Sequence, residues 1–304
     1  MAVVSVINYK GGVGKTTLTA NVGAELANRG RTVLLIDLDP QSSLTFSFSR
    51  IDQWERELEA DRTILTWLSA FIRGRTIEPL YKYVVTPRAV NQVVQRNGGK
   101  GRLDLIASHL GLIDVDLDLA ATIGGARFQA GHPEFITVHR LLAEALTDPA
   151  FSQYDVILID CAPNFNMVTR AAIVASEHVL VPARPDYLST LGIDYLRGRL
   201  SGLITAYNEI AGVDINPEIA GVVYTMVQLA GRAPITAQRV SMDRLAQIEI
   251  PIFRQYIRDN KTAITDAGDT SIPAVLADGR TAALMSLQHE LQVFTSEFTA
   301  KIRS

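Results

Sequence analysis

Lys10-Gly11-Gly12-Val13-Gly14-Lys15-Thr16-Thr17 decides how this chain folds. Gly11, Gly12 and Gly14 let backbone N–H groups turn inward on an anion with no Cβ in the way. Lys15 then reaches the β- and γ-phosphates as a point charge, and the Thr16 hydroxyl sits on Mg2+. The common phosphate-loop pattern, G-x-x-x-x-G-K-[ST], wants glycine at position 9. This chain has Tyr9 there, and Lys10 beside the first glycine. A lysine at that place is too far from its own loop's phosphates to duplicate Lys15. The residues therefore predict that Lys10 serves a phosphate in trans, on a second subunit.

The flanks supply the context such a loop requires. Ala2-Val3-Val4-Ser5-Val6-Ile7 is a short β-branched run, which predicts a buried parallel strand. After the loop, Leu18, Val22 and Leu26 recur on one helical face, and Gly30 offers a C-terminal stop. A strand, a glycine loop and a helix N-terminus together make an anion site. Further strands are predicted at residues 31–37, 103–107, 154–160, 178–182 and 219–224. Helical periodicity marks 64–72, 134–146, 168–175, 188–207, 235–248 and 281–302. Strands alternating with helices predict an α/β fold, a doubly wound and mostly parallel sheet with helices on both faces and ligands at the carboxyl ends of the strands. Residues 1–304 read as one domain with an elaborated region at about 49–131, which holds a charged patch (Trp54 to Glu57), a Gly-rich turn (Asn97 to Gly101) and uneven periodicity.

Composition narrows the class. The chain has 304 residues, 47% hydrophobic and 20% charged, which fits a globular protein with a large core. One cysteine, Cys161, excludes a disulfide framework and a CxxC zinc site. No apolar run approaches ~18 residues, so no membrane span is expected, and a first strand at residue 2 argues against a signal peptide. A formal net charge of −3 means that any nucleic-acid binding must rely on a local basic patch.

Two strand ends bring carboxylates to the loop. In Asp37-Leu38-Asp39-Pro40-Gln41 both aspartates lie at the carboxyl edge of the second strand. Asp39 is the candidate for orienting the attacking water, and Asp37 for the hydration shell of the metal. The apolar run 154–159 delivers Asp160, in the arrangement that holds Mg2+ through water.

These stretches resemble a known group. Lys10 to Thr17 is similar to the deviant Walker A motif of the ParA/MinD superfamily, Leu34 to Gln41 to its second signature and Tyr154 to Pro163 to its third. Residues 172–182 continue the likeness, and 221–227 resemble the strand and turn near the adenine, which puts Thr225 and Met226 beside the nucleotide. Residues 257–260 and 265–267 resemble the late segment of Soj-like partition ATPases. The likeness covers most of 1–48 and 154–275 and is poor over 50–130. It implies ATP and Mg2+ as cofactors, and a homodimer in which two subunits close face to face over two nucleotides with Lys10 of each reaching the other's phosphates. It further implies a slow ATPase that binds DNA without sequence preference when closed, stimulated by a ParB-like or adaptor protein. The expected location is cytoplasmic and nucleoid-associated.

From Arg232 to Lys261 there are six basic residues against three acidic ones, a local excess suited to salt-dependent phosphate contact. Arg258, Arg232 and Arg254 are the candidates for DNA. A ParA-like positioning of a non-DNA cargo differs only in what the adaptor carries. A MinD-like membrane ATPase would need a basic amphipathic tail. The C-terminal stretch has Leu287, Leu291, Phe294 and Phe298 on one face, but only Lys301 and Arg303 beside them, so packing on the sheet is expected. Cys161, Trp54 and Trp67 read as core residues, and the five histidines show no ligand spacing.

Overall fold

The apolar β-branched runs become strands, and the stretches of helical period between them become helices. The computed structural model describes residues 1–122, 133–231, 233–260 and 270–303. β1 (Ala2–Val6) passes through the glycine loop into α1 (Lys15–Asn28), and β2 (Thr32–Leu38) into the short α2 (Ser43–Phe46). Next come α3 (Ile51–Glu57), α4 (Ile64–Ile72), β3 (Val84–Val85), α5 (Arg88–Arg96), β4 (Arg102–Ile106), α6 (Leu112–Thr122) and α7 (Pro133–Ala145). The remainder holds β5 (Val156–Cys161), α8 (Met167–Val174), β6 (His178–Ala183), α9 (Tyr187–Ala211), β7 (Glu218–Tyr224), α10 (Thr236–Leu245) and α11 (Ala282–Lys301).

The strands form one seven-stranded sheet in the order β3-β4-β2-β5-β1-β6-β7. Its pairings are parallel except that of β3, which runs antiparallel to β4. Strand alternation splits the core in two. In β2, Leu34, Ile36 and Leu38 join the apolar cluster under α4 and α6 to α9, whereas Val33 and Leu35 join the one under α1, α5 and α11. Burial on both faces is why these strands read as continuous apolar runs. β1 and β5 lie side by side at the centre with β2 and β6 flanking them, so the first, second and third nucleotide signatures all end at the same carboxyl edge.

The two ends of the sheet differ. Beyond β7 the chain covers its own edge: Val222 N–H donates to the Pro251 carbonyl (2.8 Å), Phe253 N–H to Val222 (2.9 Å) and Ile257 N–H to Tyr224 (2.8 Å). At the other end β3 has β4 as its one neighbour in the sheet.

The region around 49–131 holds more regular structure than its periodicity predicts. The charged patch is helix α3, whose one buried side chain is Trp54; a seven-residue helix with one apolar anchor leaves no stripe to recognise. In α5 the buried positions are Val90, Asn91, Val93 and Val94, and the asparagine breaks the apolar pattern by binding the Pro87 and Leu103 carbonyls. The last part of that region, residues 123–131, lies outside the described residues. Trp54, Trp67 and Cys161 are buried, as are Leu287, Leu291, Phe294 and Phe298 of α11, so the C-terminal helix packs on the body of the protein as expected.

Candidate functional site

The loop between β1 and α1 forms an open cradle. Gly12 and Gly14 take left-handed φ angles of 67° and 80°, which the absence of Cβ permits. An added Cβ at Gly11 or Gly12 would meet nothing within 4 Å, so the concave side is free. α1 then starts with no side-chain cap and no acidic residue in its first turn, leaving its first N–H groups and the positive end of its dipole for an anion. Lys15 is 6% exposed, and its ammonium makes one long hydrogen bond, 3.5 Å to the Asn8 carbonyl. Burial pulls its pKa down against the opposing pull of the Asp160 and Asp39 carboxylates. A desolvated cation with so weak a partner is suited to a phosphate.

The carboxylates are arranged by strand register. Asp37 of β2 sits opposite Asp160 of β5, and both are fully buried. Thr16 Oγ1 donates to Asp160 Oδ2 at 2.7 Å, while Asp160 Oδ1 has no partner among the described residues. Burial first, and then the neighbouring Asp37 carboxylate, push the Asp160 pKa well above the usual range. Asp37 is more committed than the sequence suggests. Its Oδ2 accepts from Thr45 N (2.8 Å) and Thr45 Oγ1 (2.7 Å), and its Oδ1 from Asp39 N (3.1 Å). It thus ties the turn after β2 to α2, and burial raises its pKa to about 7 against those three donors.

Asp39, 8% exposed, lies just past β2. Its Oδ1 accepts from Gln41 N at 2.9 Å, and its backbone carbonyl accepts from Ser108 Oγ at 2.7 Å. Ser108 is held in turn by Thr45 and by the indole of Trp54, which donates to its carbonyl. No group of three or more His, Cys, Asp or Glu forms a metal cage among the described residues. Mg2+ keeps several waters and takes one or two protein ligands plus phosphates. Thr16 and the unpartnered Asp160 oxygen fit this requirement.

Lys10 lies outside the cradle. Its backbone N–H donates to Asn8 Oδ1 (2.9 Å), and its ammonium is 2.6 Å from Asp186 Oδ2. Asp186 is the N-cap of α9, where its Oδ1 accepts from Ser189 N at 2.9 Å, and Arg184 Nε stands 3.8 Å from Oδ2. Burial pushes the Asp186 carboxyl up, but the Lys10 and Ser189 donors outweigh it and hold it below its ordinary value. Sequence reasoning missed Asp186. The signal was an aspartate at the carboxyl edge of β6, ahead of a long helix, where caps and ligands both concentrate.

On the far side of the loop, Thr225 Oγ1 donates to the Val13 carbonyl at 2.7 Å, and Met226 adopts a left-handed φ of 55°. Together they line a small apolar pocket with Gly14, Leu18, Asn260 and Leu291, of a character suited to a flat base. Ile257 to Asp259 run beside Tyr224 to Val227, through Val227 N to Ile257 O (3.1 Å) and Asp259 N to Val227 O (3.0 Å). Asp259 and Asn260 therefore border this pocket, a role the sequence reading did not give them.

The three arginines expected at DNA have different surroundings. Arg258 lines the base pocket, and its guanidinium and backbone N–H both bond the buried Glu290. Arg254 is exposed, with its backbone N–H on Glu297 (2.8 Å) and no partner for its guanidinium among the described residues. Arg232 lies outside the described residues, as do Lys261 and residues 265–267. Among the described residues no helix is long and apolar enough to cross a membrane.

Residues 1–211 match the AAA domain family. A putative replication protein A of Sinorhizobium fredii is 26% identical over 274 residues, 89% of this chain and 60% of that protein. The sporulation initiation inhibitor protein Soj of Bacillus subtilis is 28% identical over 194 residues, 64% of this chain and 62% of its own. The chain thus spans about three fifths of the length of these two relatives. The ATP complex of an McdA variant from Cyanothece superposes with a TM-score of 0.70 at 19% identity, covering 99% of this chain and 96% of that one, a likeness of fold. The chain belongs to this AAA domain family.

Proposed function

We propose that the chain is an ATP-driven dimerising switch that positions DNA cargo. The observation that carries the reading is the division of labour between two lysines five residues apart. Lys15 is buried and turned into the cradle, whereas Lys10 is outside it and half-exposed on Asp186. ATP lies with its phosphates on Gly11 to Thr17, including the backbone of Val13 and the hydroxyl of Thr17, and with its base against Thr225 and Met226. Thr16 and Asp160 would hold Mg2+, with Asp37 behind them. The metal, when bound, neutralises charge developing on the phosphate oxygens. Asp39 accepts a hydrogen bond from the attacking water. Water oxygen bonds to the γ-phosphorus, the bond to the β–γ bridging oxygen breaks, and ADP and phosphate separate. Two subunits close over two nucleotides, and Lys10 of each leaves Asp186 to meet the phosphates of the other. Turnover is slow until a ParB-like or adaptor protein acts on the closed dimer.

The DNA half of the proposal rests on Arg254, whose guanidinium has no partner among the described residues, and on Arg232. Arg258 is the weaker candidate, because Glu290 already holds it. The test is retention on non-specific duplex DNA with ATP, ADP or no nucleotide across a salt series. Binding is expected with ATP alone, with log affinity falling linearly in log salt. Arg254→Glu is expected to weaken retention and flatten that slope by about one phosphate contact while leaving ATP turnover intact. Equal retention in all nucleotide states refutes the switch. An ATP-dependent dimer that retains no DNA favours a non-DNA cargo.

A further inference from the structure

A cleft of about 730 Å3 opens between α3, β3 and the start of α5. We infer that it is a docking site for an acidic, extended segment of a partner protein, which adds to β3 as a further strand. The inference names where the adaptor of the proposed switch binds, and it rests on that reading for the adaptor's existence but not for the site itself.

An unpaired strand edge is a template for another chain, and proteins ordinarily cover or charge it. Here the β7 edge is covered by the protein's own residues 251–257, hydrogen bond by hydrogen bond. The β3 edge has no such cover among the described residues. Val84 and Val85 line the cleft, so a peptide lying in it has strand backbone to pair with.

Among the described residues Arg50, Arg62 and Arg88 line the cleft against one carboxylate, Glu57, in a chain whose formal net charge is −3. Arg62 and Arg88 are exposed and make no ion pair among the described residues. Arg50 pairs with Asp52, but with the two side chains 79% and 56% exposed that pair is solvated and weak. α5, nine residues long, begins after Pro87 with no side-chain cap and no acid in its first turn, adding a positive helix end. Arginine clusters of this kind recognise acidic motifs. A concave cleft beside a strand suits an extended peptide better than a duplex, whose phosphates track a convex rod.

Most of the wall of the cleft belongs to the segment between the second and third nucleotide signatures, and Thr270 and Ser271 complete it. Through Trp54 and Ser108 that wall is bonded to the carbonyl of Asp39. A partner seated here is therefore two side chains from the residue proposed to orient the water.

The test uses the full chain without nucleotide, so that it stands or falls independently of ATP binding and dimer formation. The probe is a fluorescein-labelled, terminally blocked (Glu-Val)5 peptide followed by anisotropy, with (Lys-Val)5 as control. The expected result is salt-sensitive binding of the acidic peptide, at least tenfold tighter than the basic one. The R62E/R88E double variant, with an unchanged circular dichroism spectrum, is expected to lose it by tenfold or more. Methylation of alternate backbone nitrogens in the probe is expected to abolish it, because a strand addition needs those donors. Binding that survives methylation overturns the strand addition, and failure to bind at millimolar peptide overturns the site. If R62E/R88E instead lowers retention on duplex DNA while the peptide never binds, the cleft is a nucleic-acid contact and the inference is wrong.

Discussion

Replacing Asp186 with asparagine isolates the contact that holds Lys10 in its own subunit. The ammonium is 2.6 Å from the carboxylate, but the two side chains are 33% and 37% exposed. Solvent screening therefore leaves the pair worth about 1 kcal/mol. In the proposed closed dimer both protomers must release Lys10, so the contact opposes closure by about 2 kcal/mol per dimer. At 1.4 kcal/mol per tenfold, Asp186→Asn is expected to tighten the ATP-state dimer roughly 25-fold. Asparagine caps a helix about as well as aspartate and still offers an oxygen to Ser189 N–H, so α9 keeps its start. The assay is sedimentation equilibrium over a concentration series with a slowly hydrolysed ATP analogue. Lys10→Ala, expected to bind nucleotide and remain monomeric, is the control. The gain shrinks at high salt. It stays flat between pH 5 and 8, because a carboxylate held below its ordinary 3.8 loses its charge only further down. A dimer constant within twofold of the parent refutes the restraint. A weaker dimer shows that Asp186 presents Lys10 to the partner instead of withholding it.

Three other outcomes test the cradle and its carboxylates. Lys15→Ala removes the one ammonium buried in the loop and is expected to weaken ATP binding roughly 100-fold by calorimetry, the worth of one or two charge-assisted hydrogen bonds; retained micromolar affinity removes Lys15 from the site. Asp39→Ala is expected to lower ATP turnover by about 10²–10⁴-fold while an ATP dimer accumulates, and unchanged hydrolysis takes the water from Asp39. Asp37 supplies a pH signature. Its folded pKa is raised to about 7 from 3.8, so the folded state binds more protons in that window, and this contribution to stability is present below 3.8 and lost as pH rises through 7. Thermal melts without nucleotide are expected to fall over that interval more steeply for the parent than for Asp37→Asn, and equal slopes overturn the assignment.

Most of the sheet was legible because each strand buried on both faces announces itself as an apolar run, and because the glycine loop fixes which strand comes first. β3 was not legible: two residues cannot display a period, and Val84-Val85 is held in the sheet by β4 alone. α3 and α5 were not legible for other reasons: α3 exposes most of its surface and anchors itself by one indole, and in α5 an asparagine bonded to backbone interrupts the three buried valines. In the site, residue type told which groups carry charge but not whom they face. Asp37 and Asp39 sit two apart and read as a matched pair, yet the turn after β2 gives one of them three protein donors and leaves the other 8% exposed beside the loop. Arg258 likewise reads as surface charge because Glu290, its partner, lies thirty-two residues downstream on α11.

The same partnership bears on how base and sheet edge are linked. Arg258 donates its backbone N–H and its guanidinium to one buried carboxylate, and its Cα pairs with Val227 just beyond the left-handed Met226. Val227 and Ile257 are bonded directly, and Ile257 is bonded to Tyr224 at the end of β7. A base seated against Met226 therefore presses on a strand whose other side is fastened to α11. Glu290 is 7% exposed, so its charge is compensated only while Arg258 stays. Moving Arg258 outward to meet DNA would strand that carboxylate, a cost of several kcal/mol that one phosphate contact does not offset. Arg254, four residues earlier and free of any such debt at its guanidinium, carries no comparable penalty. The same segment thus divides by chemistry, with Arg258 held on Glu290 and the Arg254 guanidinium without a partner among the described residues.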